Sequence, residues 1–375
     1  MMYEFTLIDM KILEALAEYG PRNLTEISRK LSMPAETLRK KVKRIHSQTF
    51  LRFHANVYHT NIGLKKAIVF AESLPGYEEI LFNALKINNF WIFLSRCYGM
   101  FDGCIGIFTI PKESCPFFES YINQLERLGI AKNSRIYWST CFHYIPINSQ
   151  YFDQRTETWI LDWDGWLKEI KNAKPELPYT LMDPKDFPMM ADEIDLFIIK
   201  ELEKDATVTF RMLANKLNIS SQLVRYHYYN HVIDKGLLES FEITVFYFGK
   251  DSEFYFFIFS FDDWEKLAKF ASSLLNKPFV RTLGKILGKN ELYVYFYLPK
   301  QEFKKLRDAL SKLIRRNFLK SYEYVIQDLS SSLRATIPFE CFKNGKWVYD
   351  DIKYLEQLQK MINESAPELI KVNVI

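Results

Sequence analysis

The sequence predicts an α+β chain in which one unit is written twice: three short helices and a strand, a β-α-β-β-α-β run, then a closing strand and helix. Three observations predict it. First, "IDMKIL" at Ile8 returns as "IDLFII" at Ile194, and this shift of 186 holds without a gap through the next helices. It sets Ile27 against Leu213, Leu31 against Leu217, Met33 against Ile219, Leu38 against Val224 and Arg39 against Arg225. Second, the apolar residues change from helical spacing to strand-like runs at the same place in each copy. Third, "TWILDWDGWLKEI" (158–170) and "KWVYDDIKYLEQL" (346–358) close the two copies at nearly the same shift. Agreement over such a length is the mark of an internal repeat.

Each element follows from local chemistry. In the first copy a helix runs from Ile8 to about Tyr19, with Ile8, Ile12, Leu13 and Leu16 inward. "NLTEISRKLSM" is the second helix, with Thr25 placed as its N-cap and Ile27 and Leu31 inward. "PAETLRKKVKRIHS" is the third; Pro34 stands at its start, where a missing N–H costs nothing, and Leu38, Val42 and Ile45 form the inward stripe. "FLRFHANVYH" follows as a strand or two-stranded wing. "KAIVFAE", "YEEILFNALKI", "FWIFLSRCY", "CIGIFTIP", "CPFFESYINQLERLG" and "RIYWSTCFHYIP" then alternate as strand, helix, strand, strand, helix, strand. This is the ferredoxin-like order. The second copy repeats it from "EFYFFIFSF" to "SYEYVIQDL", after the Pro-containing connector "NAKPELPYTLMDPKDFPMM". The expected domains are 1–62 and 191–247 (three helices and a wing), 63–150 and 248–338 (ferredoxin-like), 151–190 (extension and connector) and 339–375 (closing extension).

Composition narrows the classes. The chain has 375 residues, enough for several domains, and 48% are hydrophobic, which excludes a disordered chain. Five Cys without a Cys-x-x-Cys pair fit neither a zinc knuckle nor a disulfide framework, and point to a reducing cytoplasm. The opening "MMYEFTLIDMKILEAL" lacks a signal-peptide layout, and no long apolar run is expected to meet a membrane. No Gly-rich phosphate loop appears, and no Ser/His/Asp set can be placed together. His227 and His231 stand at i and i+4, a spacing that binds metals, but no Cys or zinc-protease Glu near them completes a site, so none is assigned. His54 and His59 fall in the first wing and are expected at the surface or facing DNA. No cofactor is expected. "KQEFKKLRDALSKLIRRNFLK" reads as a solvated outer helix, and the aromatic strands "EFYFFIFSF" and "ELYVYFYL" as a buried sheet interface.

Three helices and a wing form a winged helix-turn-helix, whose second recognition helix enters the DNA major groove. Five Lys or Arg fall within 39–44, which suits a phosphate backbone. The outward positions are Ala35, Glu36, Arg39, Lys40 and Lys43, flanked by Lys41 and Arg44. Arg39 and Lys40, beside Glu36, are expected at the groove, and Lys43, Arg44 and Arg29 on phosphates. The matching positions of the second copy are Ser221, Gln222, Arg225, Tyr226 and Tyr229, with Ser220 as N-cap. There Gln222 and Arg225 would read bases and the tyrosines pack on the backbone. The acidic run "DEIDLFIIKELEKDA" before them leaves a protein-contact face open for this copy.

The segment "DEIDLFIIKELEKDATVTFRMLANKLNISSQLVRYH", with Asp195 at the helix start, resembles the opening of the leucine-responsive regulatory protein/AsnC family of archaeal and bacterial transcription regulators. "GLKKAIVFAESLPGYEEILFNALK" resembles the entry to that family's ligand-binding domain, and "YGMFDGCIGIF" its Gly-x-x-Asp turn, through Gly99 and Asp102. The resemblance implies double-stranded DNA as partner, an effector near Gly99 and Asp102, contact with the transcription machinery, and pairing of sheet domains within or between chains, as in a homodimer. The second copy departs at that turn, reading "LGKNELYVYF". The expectation is therefore a cytoplasmic, archaeal transcription regulator, not an enzyme. Its two unequal winged helices would form an intramolecular pseudo-dimer on an asymmetric site, the alternative being a DNA-free protein scaffold. Siroheme decarboxylases also resemble this family; their His-Asn-Tyr strand segment is absent here, where the strands read "FWIFLSRCYG" and "FVRTLGKILG".

Overall fold

The computed structural model describes the backbone of residues 3–372 and the side chains of residues 3–364. The last residues of the closing extension lie outside the described residues. The first three helices are α1 (Leu7–Tyr19), α2 (Leu24–Lys30) and α3 (Ala35–Gln48). Thr6 and Asp9 cap α1 reciprocally, each side chain taking the other's backbone N–H. The cap of α2 is Asn23 rather than Thr25, and it makes no side-chain cap bond. Pro34 occupies the N-cap of α3.

A single strand, β1 (Arg52–Val57), follows. The first ferredoxin-like unit comprises β2 (Leu64–Ser73), α4 (Glu78–Ile87), β3 (Trp91–Gly99), β4 (Gly103–Pro111), α5 (Cys115–Arg127) and β5 (Ala131–Ser139). Short β6 (His143–Tyr144), the hairpin β7 (Phe152–Asp153) and β8 (Thr158–Trp159), and α6 (Trp163–Asn172) complete the first half.

The second half repeats the order. It opens with α7 (Glu193–Lys204), α8 (Phe210–Leu217) and α9 (Ser221–Tyr226), and α9 widens into a π-helical stretch, His227–Ile233. Then come β9 (Leu238–Thr244), β10 (Ser252–Ser260), α10 (Trp264–Leu274), β11 (Val280–Lys285), β12 (Glu291–Pro299), α11 (Lys300–Arg315) and β13 (Ser321–Gln327). Short β14 (Leu333–Arg334), the hairpin β15 (Phe342–Lys343) and β16 (Lys346–Trp347), and α12 (Asp351–Val372) end it.

Both sheets have the same antiparallel order, β5-β2-β4-β3 and β13-β10-β12-β11. They join edge to edge where β3 pairs β13, and β6 pairs β11 at the far end, so the run from β5 to β6 spans both sheets. The enclosed face holds Ile68, Phe70, Ile105 and Ile107 from the first sheet and Phe256, Ile258, Tyr293 and Val325 from the second. Phe142 stacks on Tyr293 with ring centroids 4.7 Å apart. The other faces bury Val69 and Phe108 under α4 and α5, and Phe257 and Phe259 under α10 and α11. Strands covered on both faces read as unbroken apolar runs, which accounts for "EFYFFIFSF".

The halves exchange parts. The wing is not a hairpin within each unit: β1 pairs antiparallel with β9, and Ala55 stands opposite Phe241, its own counterpart in the repeat. A pseudo-two-fold axis therefore passes through that pair. The closing helices cross over as well. Trp163, Trp166, Leu167 and Ile170 of α6 sit in the core of the second sheet unit, with Trp166 Nε1 donating to Ser273 Oγ at 3.0 Å. Tyr354 and Leu358 of α12 sit in the core of the first. Trp159 donates to Tyr247 O at 3.2 Å and Trp347 to Ile62 O at 2.7 Å, an equivalent pair of locks between halves. A single half would leave these apolar faces bare.

Candidate nucleic-acid interface

On α3 the packing of Leu38 and Ile45 leaves Glu36, Arg39, Lys40, Lys43 and Arg44 exposed on one side, with Val42 only partly covered. Arg39 pairs loosely with Glu36 at 3.7 Å, and Arg29 holds Glu26 at 2.7 Å; both pairs are well exposed. Exposed pairs three residues apart are worth only about 0.2–0.5 kcal/mol, so phosphate can compete for either arginine. Arg44 is engaged otherwise: it donates to Tyr3 OH at 3.1 Å and covers that ring. Among the described residues no ion pair involves Lys40, Lys41 or Lys43.

Beside this face lies an open groove of about 480 Å³, lined by Arg39, Lys43, His46, Arg52 and Lys204, with Asp205 as its acid. It falls where the two winged helices meet. Arg22 holds that junction: its guanidinium donates to Ala206 O and Val208 O and lies 4.7 Å and 5.0 Å over the rings of Phe210 and Tyr228. Burial lowers the Arg22 pKa from its ordinary value, the cost of placing a cation at the junction.

In the second winged helix Ser220 caps α9, accepting from Leu223 N at 3.2 Å. Ser221, Gln222, Arg225, Tyr226 and Tyr229 all reach solvent, and Arg225 lies 5.6 Å over the Tyr229 ring. Met212, Leu223 and Ile233 are exposed with them, so this surface is aromatic and apolar where the first is cationic.

Other sequence expectations fare differently. His54 and His59 do not face outward. His54 Nδ1 lies 2.8 Å from Glu203 O, His59 is buried, and burial holds both imidazoles below their usual pKa. Cross-unit pairing of β1 with β9 removes the free wing on which they were placed. Gly99 and Asp102 lie at the end of β3, where β13 of the other half pairs; a Cβ on Gly99 would meet Tyr324 and Ile326. The structure thus uses this turn at the seam between sheets. The histidine pair was left without partners by the sequence, yet the fold brings Asp192 and Asp195 to it, and all four ligand atoms lie within 4.8 Å of one another.

The sequence also missed a largely covered cluster of charged groups near the junction of the halves, in which Glu239 and His143 meet across it. Glu242 meets Arg334 at 3.2 Å and Arg281 at 3.7 Å, Glu239 meets His143 at 3.2 Å, and Lys66 Nζ lies 4.0 Å over the Phe142 ring. Burial pushes Glu242 up, but Arg334 and Arg281 outweigh it and hold the carboxyl below its ordinary value. Glu203 accepts Ile337 N at 2.7 Å but makes no ion pair among the described residues, and burial, outweighing that bond and the more distant Arg334 and Lys66, pushes it up to about 8. These residues lie far apart along the chain, and no spacing rule joins them.

Comparison with known proteins bears on both sites. A model described as winged helix-turn-helix DNA-binding matches residues 192–228, which are α7, α8, α9 and the start of the π-helical stretch. No curated protein matches the chain. Among solved structures, the siroheme decarboxylase NirDL is similar from end to end: 10% identity, TM-score 0.50, 94% of this chain and 98% of that one. Its co-complex with an iron-uroporphyrin III analogue gives 11% identity, TM-score 0.50, and 96% and 99% coverage. B. subtilis LrpC is similar over a shorter span, at 19% identity and TM-score 0.29, covering 36% of this chain and 94% of that one. The NirDL likeness is one of fold, and it overturns the expectation that the chain is not an enzyme: the whole architecture is one that an enzyme uses. No described helix is long and apolar enough to cross a membrane.

Proposed function

We propose that the protein binds double-stranded DNA through its two winged helices and regulates transcription from an asymmetric promoter site. The observation that carries this reading is the cationic face of α3, where Arg39, Lys40 and Lys43 stand exposed beside a groove lined by Arg52, His46 and Lys204. Phosphate contacts supply most sequence-independent affinity, so this face would provide the bulk of binding. Arg39, Lys40 and Glu36 would meet the groove edge, with Arg29, Lys43 and Arg44 on phosphates. In the second copy Gln222 and Arg225 would reach bases while Ser221, Tyr226 and Tyr229 line the backbone. Unequal recognition helices related by a pseudo-two-fold axis call for unequal half-sites. The test is fluorescence anisotropy with duplex DNA from upstream of the protein's own gene, across a salt series, for wild type and Arg39→Ala/Lys40→Ala. Steeply salt-dependent binding that the double variant weakens with a shallower slope supports the reading. Binding that the variant leaves unchanged overturns it.

A second reading rests on the end-to-end likeness to NirDL and on Lys66, Arg281, Arg334 and His143 gathered between the halves. It is an enzyme acting on an acidic tetrapyrrole, whose carboxylates would be met by Lys66, Arg281 and Arg334, with His143 beside them. Titration with an iron tetrapyrrole carboxylate separates the two: a saturable Soret shift, lost in Arg281→Ala, favours the enzyme.

A further inference from the structure

We infer that the second winged helix holds a divalent metal ion, bound by Asp192, Asp195, His227 and His231. The cap of α7 sets up the site. Asp195 Oδ2 accepts Asp192 N at 3.0 Å and Asp192 Oδ1 accepts Asp195 N at 2.9 Å. Each carboxylate thus spends one oxygen on the cap. The other oxygens, Asp195 Oδ1 and Asp192 Oδ2, turn to the same two imidazoles. His227 Nδ1 stands 2.8 Å from Asp195 Oδ1 and 3.6 Å from Asp192 Oδ2. His231 Nδ1 stands 3.1 Å and 3.7 Å from the same atoms, and also 3.1 Å from the cap oxygen Asp195 Oδ2.

Those separations fit a coordination shell. Four ligands about 2.0–2.1 Å from one tetrahedral ion lie roughly 3.3 Å from each other; the four imidazole–carboxylate spacings bracket that value, and all four ligand atoms lie within 4.8 Å, so side-chain adjustment would close the shell. The donor set, two imidazoles and two carboxylates, suits a borderline ion of the Zn²⁺ or Co²⁺ class. A metal would replace the protons with which both imidazoles now address the Asp195 carboxylate. Asp195 is wholly buried and the His227 side chain is 8% exposed, whereas the Asp192 side chain is 50% exposed, which leaves an entry path on one side. Both imidazoles lie within the π-helical stretch, His227 opening it, a departure from α geometry that occurs often at functional sites.

The first winged helix gives the contrast. At the counterparts of these residues it has Thr6, Asp9, Lys41 and Ile45, and there Asp9 is satisfied by Thr6 and by Tyr3 OH at 3.1 Å. The cap is common to both copies; the imidazole pair belongs to the second alone. A bound ion would tie α7 to the recognition helix and fix how Tyr226, whose ring centroid is 5.4 Å from that of His231, meets its target.

The inference does not depend on DNA binding, and its test needs no DNA. The full chain is stripped with chelator, dialysed, and titrated with Co²⁺ and Zn²⁺, reading the visible Co²⁺ bands and the bound stoichiometry. One ion per chain is expected, with intense low-symmetry Co²⁺ absorption that Zn²⁺ displaces. His231→Gln and Asp192→Asn avoid the two most buried ligands, and should weaken binding by at least roughly 10–100-fold, the loss caused by removing groups that merely support a ligand. Their circular dichroism should match wild type. Absence of saturable binding, or binding of the same strength in both variants, overturns the proposal.

Discussion

The two winged helices share a frame and differ in what they turn outward. Both open with a reciprocal capping box, Thr6 with Asp9 and Asp192 with Asp195, and both bury the same helix positions, Leu38 and Val224 among them. The first presents Arg39, Lys40 and Lys43; the second presents Gln222, Arg225, Tyr226 and Tyr229. The frame is held by burial, which tolerates little variation, while the outward face is free to diverge. A pseudo-symmetric scaffold can thus carry one surface suited to electrostatic capture and another suited to shape and stacking.

Reversing charge on the first face is the strongest way to break that contrast. Arg39→Glu/Lys40→Glu/Lys43→Glu should reduce DNA affinity roughly 100–1000-fold at moderate salt and flatten the log–log salt slope by about 3. Gln222→Ala/Arg225→Ala should cost about 10-fold, with most of the loss confined to one half-site sequence. Anisotropy titrations on intact and half-site-scrambled duplexes measure both.

The next contrast is between Glu203 on α7 and Ala17, its counterpart on α1. A carboxyl raised to about 8 keeps its proton in the folded chain while the unfolded chain has released it. Stability is therefore favoured below the unfolded value of 4.5 and falls as pH rises through about 8. Glu203→Gln should remove that decline and be the more stable chain at pH 8.5, by about 2–4 kcal/mol, with little difference at pH 4.5. Denaturant midpoints at the two pH values decide it.

Arg22 faces Val208, its own counterpart, and joins the two winged helices. Arg22→Ala should cost about 1–3 kcal/mol, since two carbonyls and two ring faces lose their partner. Hydrogen exchange should rise on both sides of the junction. The smallest effect tests the helix starts: Ser220→Ala should cost about 1 kcal/mol. Pro34→Ala should change little, because α3 has no side-chain cap bond to lose.

Much of the fold was legible because it depends on local spacing. The doubled helix pattern, the β-α-β-β-α-β order, the cap at Ser220 and the buried aromatic strands all follow from periodicity and composition. The placement of Thr25 as a cap failed because the helix starts at Leu24 with Asn23 as its cap, two residues earlier, a choice between two good capping types that residue type alone does not settle. His54 and His59 failed for a larger reason: a strand read as a free wing found its partner in the other half.

The sequence by itself determined the repeat, the class of each element and the cationic face of α3, since those rest on residues close together in the chain. Only the tertiary structure decided the exchange of β1 with β9 and of α6 with α12, the Arg22 junction, the ionic network around Glu242, and the meeting of Asp192 and Asp195 with His227 and His231. Each of these joins residues separated by dozens to hundreds of positions. Packing between the halves assembles the first three and packing of helices within the second winged helix assembles the last, and no local pattern records either.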